Sequence, residues 1–237
     1  MNPELIAEIA SKNGPDLEAI VAKIGIATLL ALAPNFMNIV KTVQALAPEG
    51  AVYTNGAGNY AGWLHRFHAY VGLQHHGRTQ LAPTAGAMGY GVPAAIACSL
   101  LQPERTVIAF TGDGDFQMTC QELGTAAAHG AGRGTGKLVI VLVDNGSYGT
   151  IRMHQEREFP ARVSGTELCN PDFVKLAQAY GWASERIDAT AQFQPAFERA
   201  LAATAPTLLH VMLPANVITS RTTLTAVREA ALKRQAG

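Results

Sequence analysis

An α/β fold, built as a parallel sheet flanked by helices and preceded by a helical N-terminal segment, is what three features of the sequence predict. Short, nearly all-apolar runs, Thr106-Val107-Ile108-Ala109-Phe110 and Leu138-Val139-Ile140-Val141-Leu142-Val143, read as strands buried on both faces. Helical stretches alternate with strands along most of the chain, the pattern of a parallel sheet. Each of the two runs also leads into a polar cluster, Gly112-Asp113-Gly114-Asp115-Phe116 and Asp144-Asn145-Gly146-Ser147-Tyr148. Both clusters therefore fall at carboxyl ends of strands, the edge where open α/β sheets bind ligands.

Residues 1 to about 46 read as helix, interrupted near Gly14-Pro15 and Pro34. Asp16 can cap a helix whose apolar positions are Leu17, Ile20, Val21, Ile24 and Ile26, and Phe36, Ile39, Val40, Val43 and Leu46 repeat the pattern. These helices either pack on the body of the molecule or cover an interface used by a partner. The main domain is expected over residues 47–237. In order it contains a strand at Ala51-Val52-Tyr53-Thr54, helices over Tyr60–Tyr70 and Tyr90–Leu101, the first motif strand, a helix over Phe116–His129, and the second motif strand. A helix over Pro171–Tyr180 capped by Asn170, one over Phe193–Ala203, a strand over Thr207–Leu213 and a helix over Thr223–Gln235 complete it. The tract from Gly130 to Gly136 reads as a flexible connection, because it lacks the hydroxyl residue of a nucleotide-binding loop and precedes a strand instead of following one.

A chain of 237 residues that is 48% hydrophobic can bury a sizeable core. Eighteen basic residues balance eighteen acidic ones, which gives no electrostatic case for nucleic acid or an anionic membrane. Cys98, Cys120 and Cys169 are odd in number and far apart, so neither a disulfide framework nor zinc spacing is indicated. The apolar run from Ile24 to Ala33 is too short to span a bilayer and lies behind acidic residues, so no export is inferred and a reducing cytoplasm is expected.

The two polar clusters bring a carboxylate and a carboxamide to one crevice, oxygen donors that suit Mg2+, while the glycines beside Asp113 allow a phosphate close to the backbone. A calcium loop starting at Asp113 fails, because Gln117 and Met118 stand at its next ligand positions. Polar strand ends with helix caps and no metal are the plain alternative. Gly56-Ala57-Gly58-Asn59-Tyr60-Ala61 fits a dinucleotide fingerprint, yet no Asp or Glu lies between Glu49 and Glu104 to hold a ribose. The same gap holds Arg66, Arg78 and histidines 65, 68, 75 and 76, a neutral to basic wall suited to an anion. Backbone amides from Ala57 to Tyr60 could hold a diphosphate, or the segment is a plain strand-to-helix turn.

The paired clusters resemble the thiamine diphosphate motif, a Gly-Asp-Gly followed at a distance by Asn-Asn; here Asp144 replaces the first asparagine. The resemblance implies metal ligands at Asp113, Asn145 and the Ser147 carbonyl, and a carboxylate at Asp144 cannot donate as an amide does. The run Thr84-Ala85-Gly86-Ala87-Met88-Gly89-Tyr90-Gly91-Val92-Pro93-Ala94-Ala95 looks like the stretch that cradles the aminopyrimidine in enzymes of the acetolactate synthase type. By that resemblance the Gly86 carbonyl accepts a bond from the 4'-amino group, the Met88 amide meets the ring, and the Met88 thioether wedges between the two rings. Gly86 and Met88 are then the catalytic positions. Cofactor-binding positions are these two with Ala57, Gly58, Asn59, Tyr60, Gly112, Asp113, Gly114, Asp115, Asn145, Ser147, Tyr148 and Gly149. Taken alone, a methionine among glycines is more often core packing.

The resemblance extends through Gln121-Glu122-Leu123 and Tyr148–Gln155, covering nearly all of residues 50–213. Arg152 and His154 either line a substrate approach or lie on a solvated helix face. The implied chemistry is decarboxylation or carboligation of 2-oxo acids, as a lyase or transferase. In this family a glutamate on a separate pyrimidine-binding domain, usually in a neighbouring subunit, protonates the cofactor. Nothing upstream of Glu49 is long enough to be that domain, so the chain is expected to be the diphosphate-binding half of a homo- or hetero-oligomer that needs another polypeptide. A non-catalytic cofactor-binding module is the second reading, and a nicotinamide-dependent oxidoreductase the outsider.

Overall fold

A computed structural model describes residues 34–70 and 77–236. Its described strands form one parallel sheet: β1 (Val52–Asn55), β2 (Gln80–Leu81), β3 (Val107–Gly112), β4 (Leu138–Asp144), β5 (Ala183–Ile187) and β6 (Thr207–Met212), in the order β2-β1-β3-β4-β6-β5. The helices are α1 (Phe36–Leu46), α2 (Ala61–Phe67), α3 (Gly91–Leu101), α4 (Asp113–Gln117), α5 (Glu122–His129), α6 (Gly149–Glu158), α7 (Phe173–Ala179), α8 (Thr190–Ala202) and α9 (Leu224–Ala236).

The period-2 alternation of strand side chains divides the core. Ile108, Phe110, Val139, Val141, Val143, Leu209 and Val211 meet α1, α2 and α8 on one face, while Val107, Ala109, Leu138, Ile140, Leu142 and Leu208 meet α3, α5 and α7 on the other. With both faces covered, β3 and β4 carry apolar residues at nearly every position, which is why they are the strands most legible in sequence. From β1 the chain runs out to β2 and returns as β3 on the other side of β1. A crevice therefore opens between the carboxyl ends of β1 and β3, the switch point where such sheets take ligands. Register pairs Asn55 with Phe110 and Gly112 with Val143, so the loops after β1, β3 and β4 emerge at one rim.

Several elements differ from expectation. The helix predicted over Phe116–His129 is two helices, with turns at Met118–Gln121 and the Thr119 hydroxyl donating to the Gly89 carbonyl at 3.0 Å. The first of them starts at Asp113, so the acidic cluster is itself a helical turn. Asn170 is not the cap of α7: Asp172 is, accepting from the Lys175 amide at 3.0 Å. β5 escaped notice because an edge strand reading Ala-Ser-Glu-Arg-Ile carries ion pairs, Glu185 with Arg199 and Arg186 with Asp188, in place of an apolar run. β2 is two residues long.

Of the N-terminal helices, α1 packs on the body: Phe36, Ile39, Val40 and Val43 are buried in the core shared with α2 and α8. The compact unit that holds α1 together with the sheet runs from Pro34. The helical readings for residues 1–33 lie outside the described residues. At the other end α9 lies along α6, joined by Met153, Ile218, Leu224 and Val227 and by the fully buried Glu156, which accepts from Arg228 Nε at 2.8 Å and from its Nη2. Among the described residues no helix is long and apolar enough to cross a membrane.

Candidate cofactor site

The rim formed by the loops after β1, β3, β4 and β6 encloses a cavity of about 240 Å³. Every position assigned from the sequence lines it: Ala57, Gly58, Asn59 and Tyr60 after β1, Gly86 and Met88 before α3, Gly112 to Asp115 after β3, and Asn145, Ser147, Tyr148 and Gly149 after β4. The sequence reading missed Thr150 and also Trp63, Val143, Ile151, Leu213, Val217 and Ile218, which supply its apolar wall. Leu213, Val217 and Ile218 follow the last strand in a stretch without a motif; only their place after a strand end marked them.

At the centre of the rim, Asp113 Oδ2 accepts from Asn170 Nδ2 at 2.9 Å and Oδ1 from the Gly114 amide at 3.0 Å. The same Asn170 nitrogen lies 2.8 Å from Asp144 Oδ1, and Asn170 Oδ1 accepts from Gln117 Nε2 at 2.8 Å. Burial, reinforced by the neighbouring Asp144, pushes the Asp113 carboxyl up to about 6 against the opposing bond from Asn170. The carboxylate at Asp144 is satisfied on both oxygens: Oδ1 accepts from the Gly146 amide at 2.9 Å and from Asn170 Nδ2, and Oδ2, where an amide would present a donor, lies 2.8 Å from His210 Nε2. Burial is the largest influence and works to raise Asp144, yet the bonds from His210 and Gly146 outweigh it and hold it below its usual range. His210, buried in β6, is a site neighbour the sequence marked only as a polar residue inside an apolar strand.

Asn145 Oδ1 accepts from the Ser147 amide at 3.2 Å, and the Ser147 carbonyl from the Gly149 amide at 2.8 Å. With Asp113 they form a set of hard oxygen donors, one carboxylate, one carboxamide and one carbonyl, which fits Mg2+ completed by water and phosphate. Among the described residues no group of three or more His, Cys, Asp and Glu side chains offers an alternative centre.

Two of the assigned residues also bind protein groups of their own. The Asp115 carboxylate is taken up by protein donors: Tyr60 Oη at 2.5 Å and Thr111 Oγ1 at 2.9 Å on Oδ2, and the Gly89 amide on Oδ1. Burial, and then this carboxylate, push the Tyr60 phenol well above its ordinary range. In the loop after β1 the Asn59 amide, expected to face an anion, donates to Thr150 Oγ1 at 3.0 Å and ties that loop to α6. Arg66, Arg78, His65 and His68 do not line the cavity, and His75 and His76 lie outside the described residues. His65 lies 3.1 Å from Asn55 Oδ1, and His68 packs on Tyr53 with its imidazole lowered by burial. Arg152 and His154 are likewise off the cavity: Arg152 lies 3.7 Å from Glu156, and His154 is exposed on α6.

Comparison with known proteins gives this arrangement a class. Residues 56–211 match the family described as thiamine pyrophosphate enzyme, C-terminal TPP binding domain, and the chain belongs to that family, as an acetolactate synthase-like member. It is 38% identical over 156 residues to an acetolactate synthase of Mycobacterium leprae, covering 63% of this chain and 23% of that protein. It is 35% identical over 179 residues to the acetolactate synthase isozyme 2 large subunit of Escherichia coli K12, covering 74% and 31%. The thiamine diphosphate-dependent 4-hydroxybenzoylformate decarboxylase of Rhodococcus jostii RHA1 superposes with a TM-score of 0.68 at 30% identity, over 78% of this chain and 33% of that one. A benzoylformate decarboxylase from Polynucleobacter necessarius, at 20% identity and a TM-score of 0.66, shares the fold. The chain thus spans about a quarter to a third of the length of these relatives.

Proposed function

We propose that this chain holds thiamine diphosphate through Mg2+ and is the diphosphate-binding part of an enzyme that decarboxylates or carboligates 2-oxo acids, a lyase or transferase. The observation that carries the proposal is that Asp113, Asn145 and Ser147 share one cavity with Gly86 and Met88, although they come from separate loops. When bound, the cofactor supplies an electron sink for breaking the bond beside a 2-oxo group. Asp113, Asn145 and the Ser147 carbonyl would hold the metal and, through it, the diphosphate. The Gly86 carbonyl would orient the aminopyrimidine by accepting from its amino group, and Met88 would keep the two rings bent. Trp63, Val143, Leu213, Val217 and Ile218 give the cavity an apolar side that would keep water from the bound cofactor and so strengthen the electrostatic contacts inside.

The activating glutamate is assigned to another polypeptide or another part of a longer one. Among the described residues, Asp113 and Asp115 are the only acidic groups lining the cavity, and both are engaged by protein donors. At about 240 Å³ the cavity is smaller than complete ligand sites of roughly 300–1,000 Å³, as half of a shared site would be. An open apolar groove on the other side of Met88, lined by Tyr90, Pro93, Ala94, Ala97 and Leu101, with Leu101 81% exposed, suits a partner in an oligomer. Three free cysteines suit a reducing cytoplasm.

The presence of Gly86 and Met88 at the cavity favours catalysis over a storage or regulatory module, which has no use for a bent cofactor. Titration calorimetry with thiamine diphosphate, with and without Mg2+, tests the binding half of the proposal; saturable, Mg2+-dependent binding is expected. Binding of NAD with none of thiamine diphosphate would overturn it. Carbon dioxide release from 2-oxo acids only after a pyrimidine-binding partner is added tests the other half.

A further inference from the structure

We propose that Asp115 is a positioning residue: its one carboxylate fixes the distance between the diphosphate anchor and the methionine wedge. The inference rests on the thiamine diphosphate reading above.

Asp115 is 2% exposed, and the donors bound to it are a phenol, a hydroxyl and a backbone amide, each from a different segment. Tyr60 follows β1, Thr111 is the penultimate residue of β3, and Gly89 precedes α3. A buried carboxylate without a cation is costly unless its lone pairs are used, so a side chain needed only for packing would be better apolar. The surroundings are shaped to admit this one. A Cβ on Gly56 would lie 2.3 and 2.4 Å from the Asp115 oxygens, and one on Gly91 would lie 2.6 Å from the Gly56 nitrogen.

Gly89 is held at both ends of its backbone, its amide by Asp115 and its carbonyl by Thr119 Oγ1 at 3.0 Å, in the left-handed region at φ +81°. Met88 is the preceding residue. A thioether chain is flexible, so its place over the cavity depends on where its backbone is pinned. Asp113, which faces the diphosphate end, and Asp115, which pins the wedge loop, lie on the same turn of α4. That turn therefore acts as a ruler between the two ends of the cofactor.

The test compares two ligands on the full chain by calorimetry: thiamine diphosphate with Mg2+, and inorganic pyrophosphate with Mg2+, which has the anchor and no rings. Asp115→Leu removes the acceptor; a loss of about tenfold in affinity for thiamine diphosphate is expected, with pyrophosphate changed less than about twofold. Asp115→Asn should bind both ligands nearly as the parent does, because its oxygen can accept from Gly89 while its amide donates to the hydroxyls of Tyr60 and Thr111. Thr119→Val releases the other end of Gly89 without touching the buried carboxylate, so it stands in if Asp115→Leu does not fold, and it should show the same selective loss. Equal losses for both ligands, or none, would overturn the ruler. A parent chain that binds pyrophosphate and no thiamine diphosphate would instead overturn the cofactor reading itself.

Discussion

Asn170 Nδ2 lies 2.9 Å from Asp113 Oδ2, and through this contact a residue in the loop before α7 sets the orientation of a proposed metal ligand at the end of β3. The same nitrogen reaches Asp144 at 2.8 Å, so one neutral amide spaces two buried carboxylates. The arrangement leaves excess negative charge beneath the cavity, which a divalent ion would neutralise.

Partners behind a metal ligand commonly matter about 10–100-fold for affinity. Asn170→Leu is therefore expected to weaken Mg2+-supported thiamine diphosphate binding by about tenfold, although Asn170 is not itself a proposed ligand. Calorimetry at fixed cofactor and varied Mg2+ measures this; an unchanged Mg2+ dependence would count against it.

The pH response follows from Asp113. Its carboxyl titrates at about 6 in the fold, above the roughly 3.9 of an unfolded chain. For a raised carboxyl the metal-free fold gains stability from the protonated form below the unfolded value and loses that gain as pH rises through about 6. Metal needs the ionised form, so stabilisation by Mg2+ and thiamine diphosphate should grow between pH 5 and 7. Thermal shifts at pH 5, 6 and 7 check the sign; a shift that is flat or falls with pH contradicts it.

The α6–α9 clamp gives the opposite sign. The hydrogen bond from Arg228, chiefly, holds the buried Glu156 carboxyl at about 2 despite its desolvation. A depressed carboxyl contributes stability above its unfolded value that is lost as pH falls towards 2. Arg228→Ala should cost about 2 kcal/mol at neutral pH. That lies below the roughly 3–5 kcal/mol of a fully buried pair, because Arg228 is 39% exposed and Arg152 stands 3.7 Å from the same carboxylate. Urea melts at pH 7 and pH 3 should show this cost shrinking in acid.

Gly149 tests the proposed metal loop from another side. An added Cβ would lie 2.8 Å from Ile218 Cδ1 and 2.9 Å from Asn145 Nδ2. Gly149→Ala should displace the Asn145 carboxamide and weaken Mg2+-supported binding several-fold, by about 1 kcal/mol. Gly62→Ala, where an added Cβ meets nothing within 4 Å, is the control and should bind as the parent does.

The sequence disclosed what is local or fully buried. β3 and β4 read directly because both their faces are covered, and the two polar clusters read as a site because they stand at the ends of such strands. Long-range satisfaction of polar groups was hidden. Nothing in the chain's order pairs Asp144 with His210, or sends Asn170 to Asp113 instead of to the cap of α7. Asp115 lines the cavity, as the sequence reading has it, but nothing in the sequence signalled that its carboxylate also takes Tyr60, Thr111 and Gly89 from three separate segments. Edge strand β5 lacked the apolar signature for want of a second covered face.

A divalent ion gripped jointly by Asp113 and Asn145 would anchor the diphosphate, and the rest of the proposed function depends on that grip. Calorimetric titration of thiamine diphosphate into the parent chain and Asp113→Ala, each with and without Mg2+, tests it most directly. Tight binding by the parent only with Mg2+, and loss of that Mg2+ dependence in the variant, are expected. Equal affinity in all four titrations would contradict it.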